Sequence, residues 1–489
     1  MARMRSWWLP VLVLLGLLGG CATHPVNPPI SEIHRNEGYR FDTRDAHRSG
    51  FRTNNLVVLA FSGGGTRAAA FSYGVLEALR RMEVVTPDGR KTRLLDQVDI
   101  LTGVSGGSFT ALAYGLYQDK LFDLYESSFL KRNVQGELIA RAMNPVNWGA
   151  LSSPTWGRSE LAAQLYDDIL FHGATFGDLD RGTGPFVLVT ATDISTGARI
   201  GFNQTAFDLL CSDLDAVRLS RAAAASSAVP FVLSPVTINN YGGHCNYSLP
   251  AWLMAYSDRT TAPRPSARMI RHLEDLDTYL DSAHNPYIHL VDGGLADNLG
   301  LRGVLEVMET FEALHLEGLP TPLDRARRIV VFVVNSRSVP DTHWNESDRP
   351  PSDVALLIKA TGVPIDHYSY EGVELLKDIA ARWKTMRQIR RSAVFGRNED
   401  PALARLVDTP DVDLYAIDVS FAALADKTEL SYLNNLPTSF VLPPEAVDRL
   451  RAAAGTIILA SPEFRRLLQD AGVKLVVDPM PADAPEAAQ

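Results

Sequence analysis

The run Gly103-Val104-Ser105-Gly106-Gly107 sets one serine among glycines, after an apolar stretch and before a helical one. That is the arrangement of a nucleophile elbow, in which a tight turn projects the hydroxyl from a strand end toward a helix N-terminus. Side chains two positions either side of the serine would collide with neighbouring backbone, so Gly103 and Gly107 fit the turn. A second run, Gly63-Gly64-Gly65-Thr66-Arg67, also follows an apolar stretch and opens a helix. Three successive glycines let backbone N–H groups converge on one anion, reinforced by the helix dipole. The anion is either a nucleotide phosphate or a transition-state oxyanion. A phosphate loop continues Gly-Lys-Ser/Thr, whereas this one runs Gly-Thr-Arg-Ala, so nucleotide binding is the poorer reading. As an oxyanion hole, Gly63, Gly64 and Gly65 need a partner nucleophile, which Ser105 provides. Arg67 either adds positive charge near the loop or is a solvated first-turn side chain.

Asp292-Gly293-Gly294 follows a short apolar stretch. Alone, Asp-Gly marks a turn; its weight comes from standing in one chain with the other two runs. SGGGTRA (62–68), GVSGGS (103–108) and VDGGLADN (291–298), in that order, resemble the patatin-like phospholipases. The block Ala225-Ser226-Ser227-Ala228-Val229-Pro230 and the segment YLNNLPTSF (432–440) fit the same family, so the resemblance covers roughly residues 54–470. Ala68 departs from it, since many members carry Gly after the basic residue. The resemblance implies a Ser-Asp dyad with Ser105 as nucleophile and Asp292 as its base, with Gly293 and Gly294 in support. It implies no catalytic His and suits a lipid ester substrate, phospholipid or lysophospholipid; no metal and no cofactor are expected.

An Asp of ordinary pKa near 3.9 is a poor base toward a serine hydroxyl, so such a dyad relies heavily on preorganisation and the oxyanion hole. The rival is a Ser-Asp-His triad. His289 lies three residues before Asp292 on a predicted strand and so points to the opposite face. His244 sits in a loop beside Cys245, and His343 and His367 remain open. Asp193 reads as a strand-end turn, and Asn298 either orients Asp292 or caps the next helix. A different class of reading is a non-enzymatic lipid-binding or scaffolding lipoprotein that retains the fold.

The elements that must position these residues read as α/β. Runs at 56–62, 97–104, 186–192, 288–291, 329–335 and 411–420 are strand-like, with helical periodicity at 66–81, 108–117, 354–397 and 442–471 between and after them. Continuous apolar strands alternating with helices imply a mostly parallel central sheet sandwiched by helices, with extra helices at the C-terminal end. In 354–397, Val373, Leu376, Ala380, Trp383 and Met386 form one stripe amid Lys and Arg; a core stripe with a solvated face is preferred to a membrane-docking helix. The organisation expected is a signal segment at 1–20, a tether at 21–52, one acyl hydrolase domain at 53–477 (core motifs 56–336, helical part 353–475) and a flexible tail at 478–489.

Residues 1–20 carry Arg3 and Arg5, a dozen apolar residues, then Gly19-Gly20-Cys21. A helix of that length rises about 18 Å against roughly 30 Å of bilayer hydrocarbon, which favours an export signal over a span. Leu18-Gly19-Gly20-Cys21 resembles a bacterial lipobox, which implies acylation of Cys21, and Ala22 after it implies the outer membrane, facing the periplasm. The other two cysteines, Cys211 and Cys245, form a candidate disulfide in an oxidising compartment.

Composition sets the outer limits. The 489 residues are 46% hydrophobic and 21% charged, enough for a large core and too ordered in makeup for a low-complexity chain. A net charge of −10 argues against a nucleic-acid partner. It also argues against polybasic attraction to anionic lipid, leaving acyl chains on Cys21 as the membrane device.

Overall fold

The computed structural model describes residues 22–47, 55–86, 89–249, 267–316, 321, 326–340, 344–346, 348, 350–392 and 410–477. Cys21, His343 and the expected signal and tail lie outside the described residues.

The strands, in chain order, are β1 (Asn55–Phe61), β2 (Met82–Val85), β3 (Lys91–Arg93), β4 (Ile100–Val104), β5 (Phe186–Asp193), β6 (Arg199–Gly201), β7 (Val236–Asn239), β8 (Tyr287–Val291), β9 (Arg328–Asn335), β10 (Asp413–Ser420) and β11 (Lys474–Val477). Eight form the main sheet, ordered β10-β9-β1-β4-β5-β8-β7, with β6 paired to β5. From β10 to β5 every pair is parallel, and β8, β7 and β6 join antiparallel. The runs Asn55–Phe61 and Arg328–Asn335 are almost continuously buried, as strands covered on both faces must be. The expected three-layer α/β class is the one observed.

Eleven helices matter to the site and its surroundings: α1 (Phe41–His47), α2 (Gly65–Arg81), α3 (Gly106–Tyr117), α4 (Val134–Met143), α5 (Pro145–Leu151), α6 (Arg158–Tyr166), α7 (Leu219–Ser226), α8 (Leu301–Leu316), α9 (Asp353–Arg390), α10 (Pro444–Ala460) and α11 (Pro462–Ala471). Helix α2 is buried along nearly its whole length, and its Gly74 lets the backbone of α10 pass within contact: a Cβ there would lie 2.5 Å from the Arg451 carbonyl oxygen. On the other face of the sheet, Leu376 and Trp383 of α9 are fully buried against Val331 and Val333, so the stripe is core. Arg387 on the same helix pairs with Asp413 at 2.7 Å. No helix among the described residues is long and apolar enough to cross a membrane.

Three expectations need correction. The stretch expected at 97–104 is a 3-10 turn at Leu94–Gln97 followed by a shorter strand from Ile100. A second sheet, β11-β2-β3, was not anticipated, because its strands are short and β11 pairs with β2 across almost the full chain. The tether expected at 21–52 is docked over its described part. Asn27 donates to Ser212 Oγ at 2.7 Å, and the Ile30 amide donates to the Cys211 carbonyl at 2.8 Å. Tyr39 is fully buried on Phe186 with its hydroxyl accepting the Val187 amide at 2.6 Å, and Arg40 pairs with Asp208 at 2.6 Å. Asn27 and Arg40 read as solvated, yet each has a specific partner far along the chain. Cys211 and Cys245 are disulfide-bonded, with Cα atoms 5.5 Å apart.

Candidate active site

Open α/β sheets bind ligands beyond the carboxyl ends of their strands, where the connections diverge to either side. Here β1 lies between β4 and β9; α2, which follows β1, packs on one face of the sheet, and α9, which follows β9, packs on the other. The two glycine-bearing turns emerge there: 62–65 after β1, and Ser105 after β4.

Ser105 has φ 48° and ψ −120°, a backbone conformation that a residue with a side chain rarely adopts. It caps α3 and aims its hydroxyl at a carboxylate: Oγ donates to Asp292 Oδ2 at 2.8 Å. The turn is possible because its neighbours lack side chains. A Cβ on Gly103 would stand 2.8 Å from the Ser108 Cα, and one on Gly107 2.6 Å from the Ser62 carbonyl oxygen. The tightest position is Gly106, whose Cβ would overlap the Gly65 carbonyl, so the two glycine turns pack backbone to backbone.

Asp292 is fixed from several directions. Its Oδ1 accepts the Gly294 amide at 2.8 Å, and its own amide donates to the Ala228 carbonyl at 3.0 Å. Its carbonyl accepts from Thr192 Oγ1 at 2.9 Å. Gly293 donates to the Ser226 carbonyl at 3.0 Å, and a Cβ on it would overlap the Thr190 carbonyl. Ser105 and Asp292 are 6% and 8% exposed, so the pair is enclosed without being sealed. Burial pushes the Asp292 carboxyl up to about 6, against the lowering effect of the Gly294 and Ser105 hydrogen bonds. The weak base expected from residue type alone is a considerably better one in place.

The glycine loop is corrected at one position. The Gly63 amide donates to the Asn298 carbonyl at 2.9 Å, so it is committed to the fold and has no hydrogen left for an oxyanion. Gly63 is a packing glycine: a Cβ would overlap Asn298 Oδ1 and stand 3.2 Å from the Ser105 Cβ. Gly64 and Gly65 adopt φ 139° and 60°, and their amides have no acceptor among the described residues. Thr66, next in the helix, donates to the Ser439 carbonyl at 2.8 Å.

Arg67 is not solvated. Its guanidinium donates to the Ser336 carbonyl at 2.8 Å, to the Leu436 carbonyl at 2.8 Å and to Thr438 Oγ1 at 3.0 Å. It ties the loop after β1 to the end of β9 and to the 436–438 segment. Asn298 neither bonds Asp292 nor caps the next helix. The cap is Asp297, which accepts the Leu301 and Arg302 amides at 3.1 and 2.8 Å. Asp193 forms the expected turn, accepting from the Ser195 amide and Thr196 Oγ1 at 2.9 Å each. His289 is exposed and bonds Thr237, and His244 and His367 are exposed as well. No described histidine contacts Ser105 or Asp292.

The sequence places Ser226 in a block shared with the family and gives it no role. Its Oγ accepts the Ser105 amide at 2.9 Å and donates to the Thr190 carbonyl at 2.7 Å, bracing the elbow from behind. Ser336 was missed too. Its amide donates to Ser62 Oγ at 2.9 Å and its hydroxyl to the Gly63 carbonyl at 3.0 Å.

A mostly parallel α/β sheet thus carries a strained serine turn, a carboxylate on its hydroxyl and a glycine loop beside it, the strand–turn–helix setting of a nucleophile elbow. The sequence model of the patatin-like phospholipases matches residues 59–305, and the chain belongs to that family. It is thereby a lipid acyl hydrolase. Among solved structures, human GIVD cytosolic phospholipase A2 is similar, at 13% identity over 90% of this chain and 67% of its own, with a TM-score of 0.44. The same human enzyme in complex with methyl gamma-linolenyl fluorophosphonate matches at 14% identity over 90% and 64%, with a TM-score of 0.42. No curated protein matches the sequence.

Proposed function

We propose that the chain is a lipid-anchored serine acyl hydrolase that cleaves phospholipid or lysophospholipid esters through a Ser105–Asp292 dyad. The observation that carries this reading is the 2.8 Å bond from the Ser105 hydroxyl to the Asp292 carboxylate at a strained turn. Asp292 takes the Ser105 proton as Oγ attacks the ester carbonyl carbon. The Gly64 and Gly65 amides stabilise the tetrahedral oxyanion, and Asp292 returns the proton to the departing alcohol. Water, deprotonated by Asp292, then attacks the acyl-serine and releases the fatty acid. A carboxyl held near 6 suits both directions of proton transfer at neutral pH.

In this reading, residues 53–477 form one hydrolase domain, residues 1–20 are a signal removed on export, and 478–489 are a tail. Acylation of Cys21 holds the enzyme on a bacterial outer membrane facing the periplasm. The Cys211–Cys245 disulfide is compatible with an oxidising compartment.

The test is covalent labelling of the purified protein with a fluorophosphonate probe, followed by a lipid-class profile of its products. Adduct on Ser105, absent in Ser105→Ala, with free fatty acid released from phospholipid, is the expected result. Equal labelling or equal turnover in Ser105→Ala, or in Asp292→Asn, overturns the dyad.

A further inference from the structure

Among the stretches of sequence that lack any Asp, Glu, Lys or Arg are 22–31, 142–157 and 222–249. In a chain that is 21% charged, uncharged runs of this length normally lie in the core. Parts of these are instead at the surface. Val146 and Trp148 of α5 are 85% and 55% exposed, and Met143 at the end of α4 is exposed beside them. Phe231 is 71% exposed, with Val232 next to it.

The fold gathers the three stretches on one side. The Ala22 carbonyl accepts from Ser153 Oγ at 2.5 Å and from Thr155 Oγ1 at 3.3 Å, immediately after α5. Arg158, the exposed first residue of α6, donates to the Phe231 carbonyl at 3.2 Å, and Ser159 donates its amide to Ser234 Oγ at 3.1 Å. Phe231 is three residues from Ala228, whose carbonyl holds the Asp292 amide. Its φ of 72° is a strained value for an aromatic residue, and burial of its ring gives no return for that strain. Exposed apolar side chains thus stand on either side of Arg158, in the segment that follows Ala228 and in α5, whose following loop is bonded to Ala22.

We infer that these exposed side chains, Val146, Trp148 and Phe231, form the surface that inserts into the phospholipid bilayer and presents the Ser105 site to it. The inference rests on the lipid-anchored reading above. The occupant follows from the lipid-anchored reading: Cys21, its acylation site, is next to Ala22, and Ala22 is bonded to the loop that follows α5. Acyl chains leaving from there hold this side against the membrane. With a net charge of −10, docking must come from apolar burial and not from attraction to anionic headgroups, so it is insensitive to salt.

The full acylated chain, reconstituted into phosphatidylethanolamine–phosphatidylglycerol vesicles with and without brominated acyl chains, tests this. Brominated lipid is expected to quench a tryptophan component that disappears in Trp148→Phe, at low and high salt alike; identical quenching in the two proteins overturns the proposal. Val146→Asp, at an exposed position, is expected to cut turnover of vesicle phospholipid about tenfold and leave a monomeric short-chain ester untouched. Unchanged vesicle turnover overturns it, and so does a lipid-free dimer that Val146→Asp dissociates, since the surface then belongs to a second copy. The quenching measurement needs no turnover. A protein without esterase activity therefore still passes or fails it, which separates failure of the docking surface from failure of the hydrolase reading.

Discussion

The Ser226 hydroxyl accepts the backbone amide of Ser105 at 2.9 Å, and this bond holds the strained turn in register with the Thr190 carbonyl behind it. The amide of Ser105 is therefore spoken for, whereas those of Gly64 and Gly65 have no acceptor among the described residues. Replacing Ser226 by Ala leaves a buried amide and a buried carbonyl without partners. The expected cost is about 1–3 kcal/mol of stability. The turn also loosens, so kcat should fall roughly tenfold to a hundredfold with KM little changed. Steady-state kinetics and thermal unfolding of Ser226→Ala check both.

The Asp292 carboxyl, pushed up to about 6, must be ionised to accept the Ser105 proton. The prediction is a kcat/KM that is lost as pH falls through about 6 and is level above it, read from a pH–rate profile with a soluble ester.

The same shift makes a stability prediction with the opposite sense. Because burial raises the folded-state pKa above the unfolded value, the native protein holds this proton more tightly between about pH 4 and 6. Stability contributed by Asp292 is therefore lost as pH rises through that window. Asp292→Asn, which keeps the shape and stays neutral, should be more stable than the parent at pH 8 by up to about 3 kcal/mol, and inactive. Calorimetry at pH 5 and pH 8 distinguishes this from a simple loss of packing, which would destabilise at both.

Gly65 and Gly89 offer a matched comparison. Both have positive φ, 60° and 84°, but a Cβ on Gly65 would overlap the Ser439 carbonyl, whereas nothing lies within 4 Å of one on Gly89. Gly89→Ala is expected to cost about 1 kcal/mol and leave turnover intact. Gly65→Ala should cost more and abolish turnover, because the loop must move off Ser439 and its amide moves with it. Denaturant unfolding and ester hydrolysis measured on both variants check the contrast.

Removing the Cys211–Cys245 disulfide by a double serine substitution opens a loop with a sequence separation of 34. The expected loss is about 3–4 kcal/mol on chain-entropy grounds, measured by denaturant unfolding with and without reductant. The loss should extend to the docking of residues 22–47, since the Cys211 carbonyl holds the Ile30 amide.

Much of the sheet was readable because strands buried on both faces are written as unbroken apolar runs, as in Asn55–Phe61 and Arg328–Asn335. The serine turn was readable because its glycines are required by sterics at fixed offsets from Ser105. What escaped depended on partners distant in sequence. Asn27 and Arg40 look solvated until Ser212, Asn239 and Asp208 are placed beside them. A triple glycine shows that backbone can approach closely, yet not that Asn298 claims one of the three amides. Asp297 and Asn298 are adjacent and chemically alike, and only the direction of the chain decides which one caps α8. The basicity of Asp292 follows from its enclosure, which no single residue type reveals.

The Arg67 guanidinium reaches Ser336, Leu436 and Thr438, and Thr66 reaches Ser439, all beyond residue 305, where the family match stops. The three signature runs are thus an incomplete machine by themselves. A transplant of residues 59–305 into another scaffold would deliver every recognisable motif and leave the loop opposite Ser105 without its anchorage, so any minimal version of this protein has to carry its last third along.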